Sequence, residues 1–377
     1  MESQAKDNIL DKIIKSQDEQ KKAELNPQEL VDFLLKDLSP REKDVLQSRY
    51  GLAGGDKKTL EEIGQRLTIT RERVRQIENN AVLKVKQTSG WKEKLASLSS
   101  LIIKHINKHG YISSEEMLVT EFLGEGAEQQ IRNCLIFILE RFLNEQVEAV
   151  EIVHTEKAWK IKDKELKHYE PVVEGIKNVL INKDEPLELV DIIKELEKEI
   201  SEEQKMMIAE LESWDTAVHS CLEVSKYFKK NLFDKWGLSH WRSVNPKRMR
   251  DKIYLVLLKS GEPLHYREIT EKINEELFDK KVAHPATVHN ELILDERFVL
   301  VGRGIYALAE WGYKPGVIAE VVVDILRTVG APMSKQEIVT EVLKSRKVKE
   351  GSIGLTLSDK NLFERVAGNK YILRKQV

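Results

Sequence analysis

The feature that most constrains this chain is a motif that it repeats. Gly261-Glu262-Pro263-Leu264-His265-Tyr266-Arg267-Glu268-Ile269 and Gly330-Ala331-Pro332-Met333-Ser334-Lys335-Gln336-Glu337-Ile338 share one pattern, and Asp184-Glu185-Pro186-Leu187-Glu188-Leu189-Val190-Asp191-Ile192 is a third copy. Each copy follows an apolar stretch of helical period (residues 172–180, 253–258 and 321–326) and precedes another, as a Pro-containing turn between two helices would. Each unit then closes on alternating aromatic and β-branched residues around a tight turn. The clearest is Phe298-Val299-Leu300-Val301-Gly302-Arg303-Gly304-Ile305-Tyr306-Ala307-Leu308, which reads as a β-hairpin. Residues 363–373, turning at Gly368-Asn369, repeat that ending, and residues 150–161 and 227–238 are weaker versions. An earlier unit has His109-Gly110-Tyr111-Ile112-Ser113-Ser114 where the others have the Pro turn. Three helices plus a hairpin, written four times with a period near seventy residues, predict tandem winged-helix units at residues 95–163, 169–243, 246–312 and 313–377.

Residues 1–25 read as a flexible polar tail, and a compact helical domain is expected over 26–92. Leu30, Phe33, Leu34 and Leu38 recur at helical spacing after Asn26-Pro27. Ser39-Pro40-Arg41-Glu42 then caps a helix with Val45 and Leu46 facing inward. Thr59-Leu60-Glu61-Glu62 opens a third, short helix, a turn follows at Thr68-Ile69, and Thr70 caps a fourth. In that fourth helix Val74, Ile77, Ala81 and Val85 form an inward stripe, leaving Arg71, Glu72, Arg75, Gln76 and Asn79 on a polar face. These side chains suit the DNA major groove: Arg bonds guanine O6 and N7 together, Gln or Asn does the same to adenine, and Glu accepts from cytosine N4. Arg73, Lys84, Lys86, Lys92 and Lys94 suit phosphate contacts that hold register. The fold class is therefore mainly α: a helix-turn-helix domain followed by winged-helix units with short β-hairpins.

Composition removes several alternatives. The 377 residues are 41% hydrophobic and 33% charged, which suits several helix-rich folded units. No apolar run spans a bilayer and the N-terminus reads as no secretion signal, so a cytoplasmic protein is expected, in bacteria the cytoplasm or nucleoid, with no membrane contact. Cys134 and Cys221 form no C-x-x-C pair and read as buried thiols. His105 and His109, one helical turn apart, lack a completing ligand and read as exposed polar residues. Gly51 to Gly55 before Lys57-Lys58 lacks phosphate-loop spacing. No catalytic constellation is evident, so neither enzymatic activity nor a cofactor is expected. The net charge of −2 is unevenly spread: residues 39–94 hold thirteen Lys/Arg against eight Asp/Glu, residues 313–377 hold twelve against seven, and residues 95–312 carry −9. Both basic segments suit nucleic acid and the acidic middle repels it.

Leu38-Ser39-Pro40-Arg41-Glu42, Tyr50-Gly51-Leu52, Thr59-Leu60-Glu61-Glu62-Ile63-Gly64 and Thr70-Arg71-Glu72-Arg73-Val74-Arg75-Gln76-Ile77-Glu78 together resemble region 4 of sigma-70 family factors, over about residues 27–90. The resemblance implies recognition of a −35-like promoter element in double-stranded DNA and docking on the RNA polymerase core. By position it puts Arg71, Glu72, Arg75 and Gln76 on bases and Arg73 near the backbone, with residues 28–50 facing the polymerase. Nothing elsewhere resembles the region that melts the −10 element.

The unit at 246–312 is similar to HARE-type winged helices, which occur in a polymerase accessory subunit, in chromatin proteins and beside restriction nucleases. That unit is charge-balanced, eleven against eleven, and only Arg303 in its hairpin turn suits DNA. Lys344, Arg346, Lys347 and Lys349, with Arg365, Lys370, Arg374 and Lys375, mark a second DNA contact in the last unit. The resulting expectation is a sequence-specific, sigma-like DNA-binding transcription factor. Two other readings remain open: a polymerase accessory protein without DNA specificity of its own, and the DNA-targeting part of a restriction or defence system.

Overall fold

A computed structural model describes residues 25–150, 152–199, 201, 208–313, 318–345 and 350–374. The chain divides into two compact units, residues 1–229 and 230–377.

Among the described residues, the first unit opens with four helices whose ends are written in their caps. In α1 (Pro27–Leu35) the Asn26 side chain accepts from the backbone of Gln28 and Glu29. Ser39 and Glu42 form a reciprocal capping box on α2 (Pro40–Tyr50), and Thr59 and Glu62 form another on α3 (Leu60–Leu67). Thr70 caps α4 (Arg71–Gln87) by accepting from the Arg73 amide. Each cap satisfies amides that a helix start leaves without partners. Between α3 and α4 the backbones come so close that a Cβ on Gly64 would lie 2.8 Å from the Ile69 carbonyl oxygen, so the turn requires glycine there. Val45, Ile63, Val74 and Ile77 close a small core between α2, α3 and α4.

The chain continues through α5 (Trp91–Lys108), β1 (Ile112–Ser114), α6 (Glu115–Leu123), α7 (Gln129–Arg141), β2 (Val147–Ala149) and β3 (Ala158–Ile161), with sheet order β1-β3-β2. This is helix, strand, helix, helix, hairpin, and Ser114 caps α6 where the sequence places a turn. The hairpin starts at Val147, three residues before the alternating pattern predicts. The unit ends with α8 (Tyr169–Lys183), α9 (Leu189–Glu199) and α10 (Trp214–Val224), followed by β4 (Phe228–Lys230), at which the chain divides.

One hydrophobic core runs through both α1–α4 and α5–β3. Leu30, Val31, Leu34, Leu35, Tyr50 and Leu52 are buried together with Cys134, Leu135, Phe137, Ile138 and Trp159. The expectation that His105 and His109 are exposed is corrected: the two rings stack 4.0 Å apart, and His105 contacts the hydroxyl of buried Ser113 at 3.2 Å. They lie on the side of α5 that packs on β1. Both cysteines are fully buried, and burial pushes each thiol up to about 12.

The second unit holds β5 (Trp236–Leu238) and then the same topology twice. The first copy is α11 (Met249–Ser260), β6 (Leu264–His265), α12 (Tyr266–Glu275), α13 (Pro285–Leu294), β7 (Phe298–Gly302) and β8 (Ile305–Leu308), in sheet order β6-β8-β7. The second is α14 (Ile318–Val329), β9 (Met333–Ser334), α15 (Lys335–Ser345), α16 (Glu350–Thr356), β10 (Phe363–Val366) and β11 (Lys370–Leu373), with β11 between β10 and β9. Each copy has its own core, around Ile253, Ile269, Val288 and Leu308 in one and Val322, Ile338, Ile353 and Phe363 in the other.

His168, just before α8, is buried against Gly110, and burial lowers its pKa from 6.5 to about 4. The unfolded chain therefore takes up this proton before the folded one does. The stability contributed by neutral His168 is complete above pH 6.5 and is lost as pH falls from there toward 4, by about 3 kcal/mol at the low end. Urea unfolding of the full chain across this range should show that loss, and His168→Gln should flatten the profile.

Candidate nucleic-acid interface

The outward face of α4 carries the candidate site. Val74, Ile77, Ala81, Val82 and Val85 are buried, which turns Arg71, Glu72, Arg73, Arg75 and Gln76 to solvent over the first two turns. Within this set Arg75 forks onto Glu72, with Nε 2.9 Å from Oε2 and Nη2 2.6 Å from Oε1. Arg73 Nη1 donates to Gln76 Oε1 at 3.2 Å. The Arg75 guanidinium holds the Glu72 carboxyl below its usual range, and Glu72 in turn raises Arg75. Both partners are exposed, so the pair is easily exchanged for other partners. Behind it, Arg66 on α3 forks onto Asp44 of α2 at 2.6 and 3.0 Å and reaches the Ser48 hydroxyl at 3.0 Å, fixing α3 against α2.

Three other residues singled out in the sequence are held by the protein. Asn79 is half-buried, and its Oδ1 accepts from Arg141 Nη2 at 2.9 Å. Lys84 pairs with Glu42, the acid of the α2 capping box, and draws that carboxyl down. Lys86 reaches Asn144 Oδ1 at 3.1 Å, where burial lowers its ammonium. The structure thus brings Arg71, Glu72, Arg73, Arg75 and Gln76 together at the exposed start of α4 and draws Asn79, Lys84 and Lys86 toward α2 and the end of α7.

Sequence reasoning missed the residues beneath. Glu78 is buried and accepts the Tyr50 hydroxyl at 2.6 Å, and Arg141 Nη1 stands 3.8 Å from the same carboxylate oxygen. Burial and the Glu78 carboxylate together raise the Tyr50 phenol. Glu78 beside Ile77 could have been noticed as an acid at the edge of an apolar stripe. Arg141 lies 62 residues from Asn79, and no local pattern links them.

In the second unit Arg303 is exposed in the turn between β7 and β8. Gly304 follows with φ +70°, and a Cβ there would meet the His265 ring at 2.7 Å. Helix α13 contains no Lys or Arg. Arg365 and Lys370 are exposed on the β10–β11 hairpin, Arg374 donates to the Lys360 carbonyl, and Lys344 pairs with Glu341. Lys347, with Arg346 and Lys349, lies outside the described residues.

Residues 34–87 match the family model described as Sigma-70, region 4, and residues 248–311 match the HARE-HTH model, a helix-turn-helix domain whose description names ASXL and restriction endonuclease proteins. Among curated proteins, RNA polymerase sigma factor SigA1 of Synechococcus elongatus is 57% identical over 56 residues, covering 15% of this chain and 14% of that protein. RNA polymerase sigma factor SigA of Clostridium acetobutylicum is 48% identical over 56 residues, 15% of each chain. RNA polymerase sigma factor sigB of Arabidopsis thaliana is 48% identical over 56 residues, 15% of this chain and 10% of that one. The chain thus spans about a seventh of the length of these bacterial relatives. Among the described residues no helix is long and apolar enough to cross a membrane.

An NMR titration of the Glu72 carboxyl in the full chain should give a midpoint below 4.5, and Arg75→Ala should return it toward that value. An unmoved midpoint in the variant would show that the fork is not populated.

Proposed function

We propose that this chain is a sequence-specific DNA-binding transcription protein. Helix α4 enters the major groove of a −35-like promoter element, with Arg71, Glu72, Arg75 and Gln76 on base edges and Arg73 on the backbone. The observation that carries the reading is the concentration of these five side chains, all exposed, on the first two turns of the second helix of a helix-turn-helix. The match of residues 34–87 to sigma-70 region 4 and the likeness to RNA polymerase sigma factors support it. They also support contact with the RNA polymerase core, in the cytoplasm of a bacterial cell. No part of the reading requires an enzymatic step or a cofactor. Arg303, and Lys347 with its basic neighbours, are proposed as secondary phosphate contacts. Asn79, Lys84 and Lys86 would contribute to DNA only by leaving their partners within the protein.

A second reading is favoured by one observation, the net −9 of residues 95–312, which opposes phosphate over most of the chain. On that reading the chain is a polymerase accessory protein whose helix-turn-helix contacts protein rather than selecting DNA.

Selection of the full chain on a random-sequence duplex library at physiological salt, with and without core polymerase, separates the two. Enrichment of one motif supports the first reading; no enrichment in either condition supports the second. On an enriched duplex, Arg75→Ala should weaken binding on the order of 10- to 100-fold and relax preference at one position. Arg73→Ala should weaken all duplexes alike and lower the slope of log affinity against log salt by about one.

A further inference from the structure

In the winged-helix order of α5, β1, α6, α7, β2 and β3, the third helix is α7, the place from which such a unit would reach into DNA. Here that helix is used differently. Seven consecutive residues, Asn133 to Leu139, are buried, so α7 has no free face over its middle two turns. Its only cations are Arg132 and Arg141, and both are paired, with Glu116 and Glu78. A helix without a free cation or an open polar face cannot neutralise phosphate.

What α7 meets is the helix-turn-helix module. Phe137 packs on Tyr50 with ring centroids 4.7 Å apart, within the core that also takes Leu30, Val31, Leu34 and Leu35 of α1. A polar seam runs beside it: Gln130 Nε2 donates to Gln28 Oε1 and to the Leu52 carbonyl, both at 3.0 Å, and Asn133 Nδ2 donates to the Gly51 carbonyl at 3.3 Å. At the far end of α7, Arg141 reaches two successive residues of α4, Glu78 and Asn79, one turn past Arg75 and Gln76.

We propose that α7 is an internal docking helix that closes the α1–α2 side of the module to other proteins, and that Arg141 is a positioning residue holding α4 in the orientation its reading face needs. The proposal rests on the assignment of α4 as the reading helix. It implies that a polymerase contact, where one forms, uses surfaces other than the apolar side of α1, because that side is already filled by this chain. Arginine suits the role because its two terminal nitrogens address Glu78 and Asn79 separately, which a lysine ammonium at one point does not.

Hydrogen exchange of the full chain tests this without DNA. In Arg141→Ala the amides of α4 from Asn79 onward should exchange roughly tenfold faster, as expected for loss of a charge-assisted bond. Those of α5 and α11 should be unchanged, and Arg141→Lys should give an intermediate increase. Unchanged exchange in α4, or an equal rise throughout α1–α7, would overturn the positioning role. Should Arg141→Ala fail to fold, the comparison is made on Arg141→Lys and Asn79→Ala with the same two outcomes. On a duplex enriched by the wild type, Arg141→Ala should lose discrimination between that duplex and a scrambled one by about tenfold, with Arg75 still in place; retained discrimination counts against the proposal. A wild type that enriches no duplex removes the DNA-reading assignment, while the exchange experiment still decides whether α7 and Arg141 hold α4.

Discussion

The packing of α7 into the side of the helix-turn-helix module governs the rest of the first unit. A module of about sixty residues buries too little surface to be more than marginally stable, and here the side formed by Leu30, Val31, Leu34, Leu35, Tyr50 and Leu52 is largely apolar. Left open, it would be an exposed patch of the kind that marks a protein interface or invites aggregation. Phe137 and its neighbours fill it from within the chain. The consequence reaches α4, whose later turns are held by Arg141 against Glu78 and Asn79 while its first two turns stand clear.

Two kinds of polar contact follow, with different energetics. The Glu72–Arg75 fork lies in solvent, where ion pairs contribute little and exchange readily. It pairs these two side chains on the helix surface without committing them. The Tyr50–Glu78–Arg141–Asn79 group is largely buried, and a carboxylate there is tolerated only with its partners present. Breaking the outer pair alters which groups face solvent. Breaking the inner group strands a buried charge and disturbs the helix that carries the outer pair.

The sequence was legible where the interactions are local. Capping at Ser39, Thr59 and Thr70, the inward stripe of Val74, Ile77, Ala81 and Val85, and the hairpins at 298–308 and 363–373 follow from residues a few positions apart. The exposed cluster from Arg71 to Gln76 was legible for the same reason. Asn79, Lys84 and Lys86 were not, because what holds them is a residue 62, 42 and 58 positions away, respectively. A helical wheel places all three on or near the polar face; only the arrival of α7 and the start of α2 decides that they turn toward protein. His105 and His109 failed similarly, since their burial depends on β1 coming to lie against α5.

The repeated topology also shows why a winged-helix pattern alone assigns no function. The same third-helix position is filled by α7, which is sunk in a core, and by α13, which carries no Lys or Arg. In the last copy the third helix, α16, carries no Lys or Arg, while Arg365 and Lys370 stand exposed on the hairpin. What decides each case is whether the helix keeps an open face and whether its charges are already paired. By that criterion the α4 surface from Arg71 to Gln76 differs from both of those third helices: it is open along two turns, rich in groups that distinguish base edges, and held from behind by contacts that do not use them.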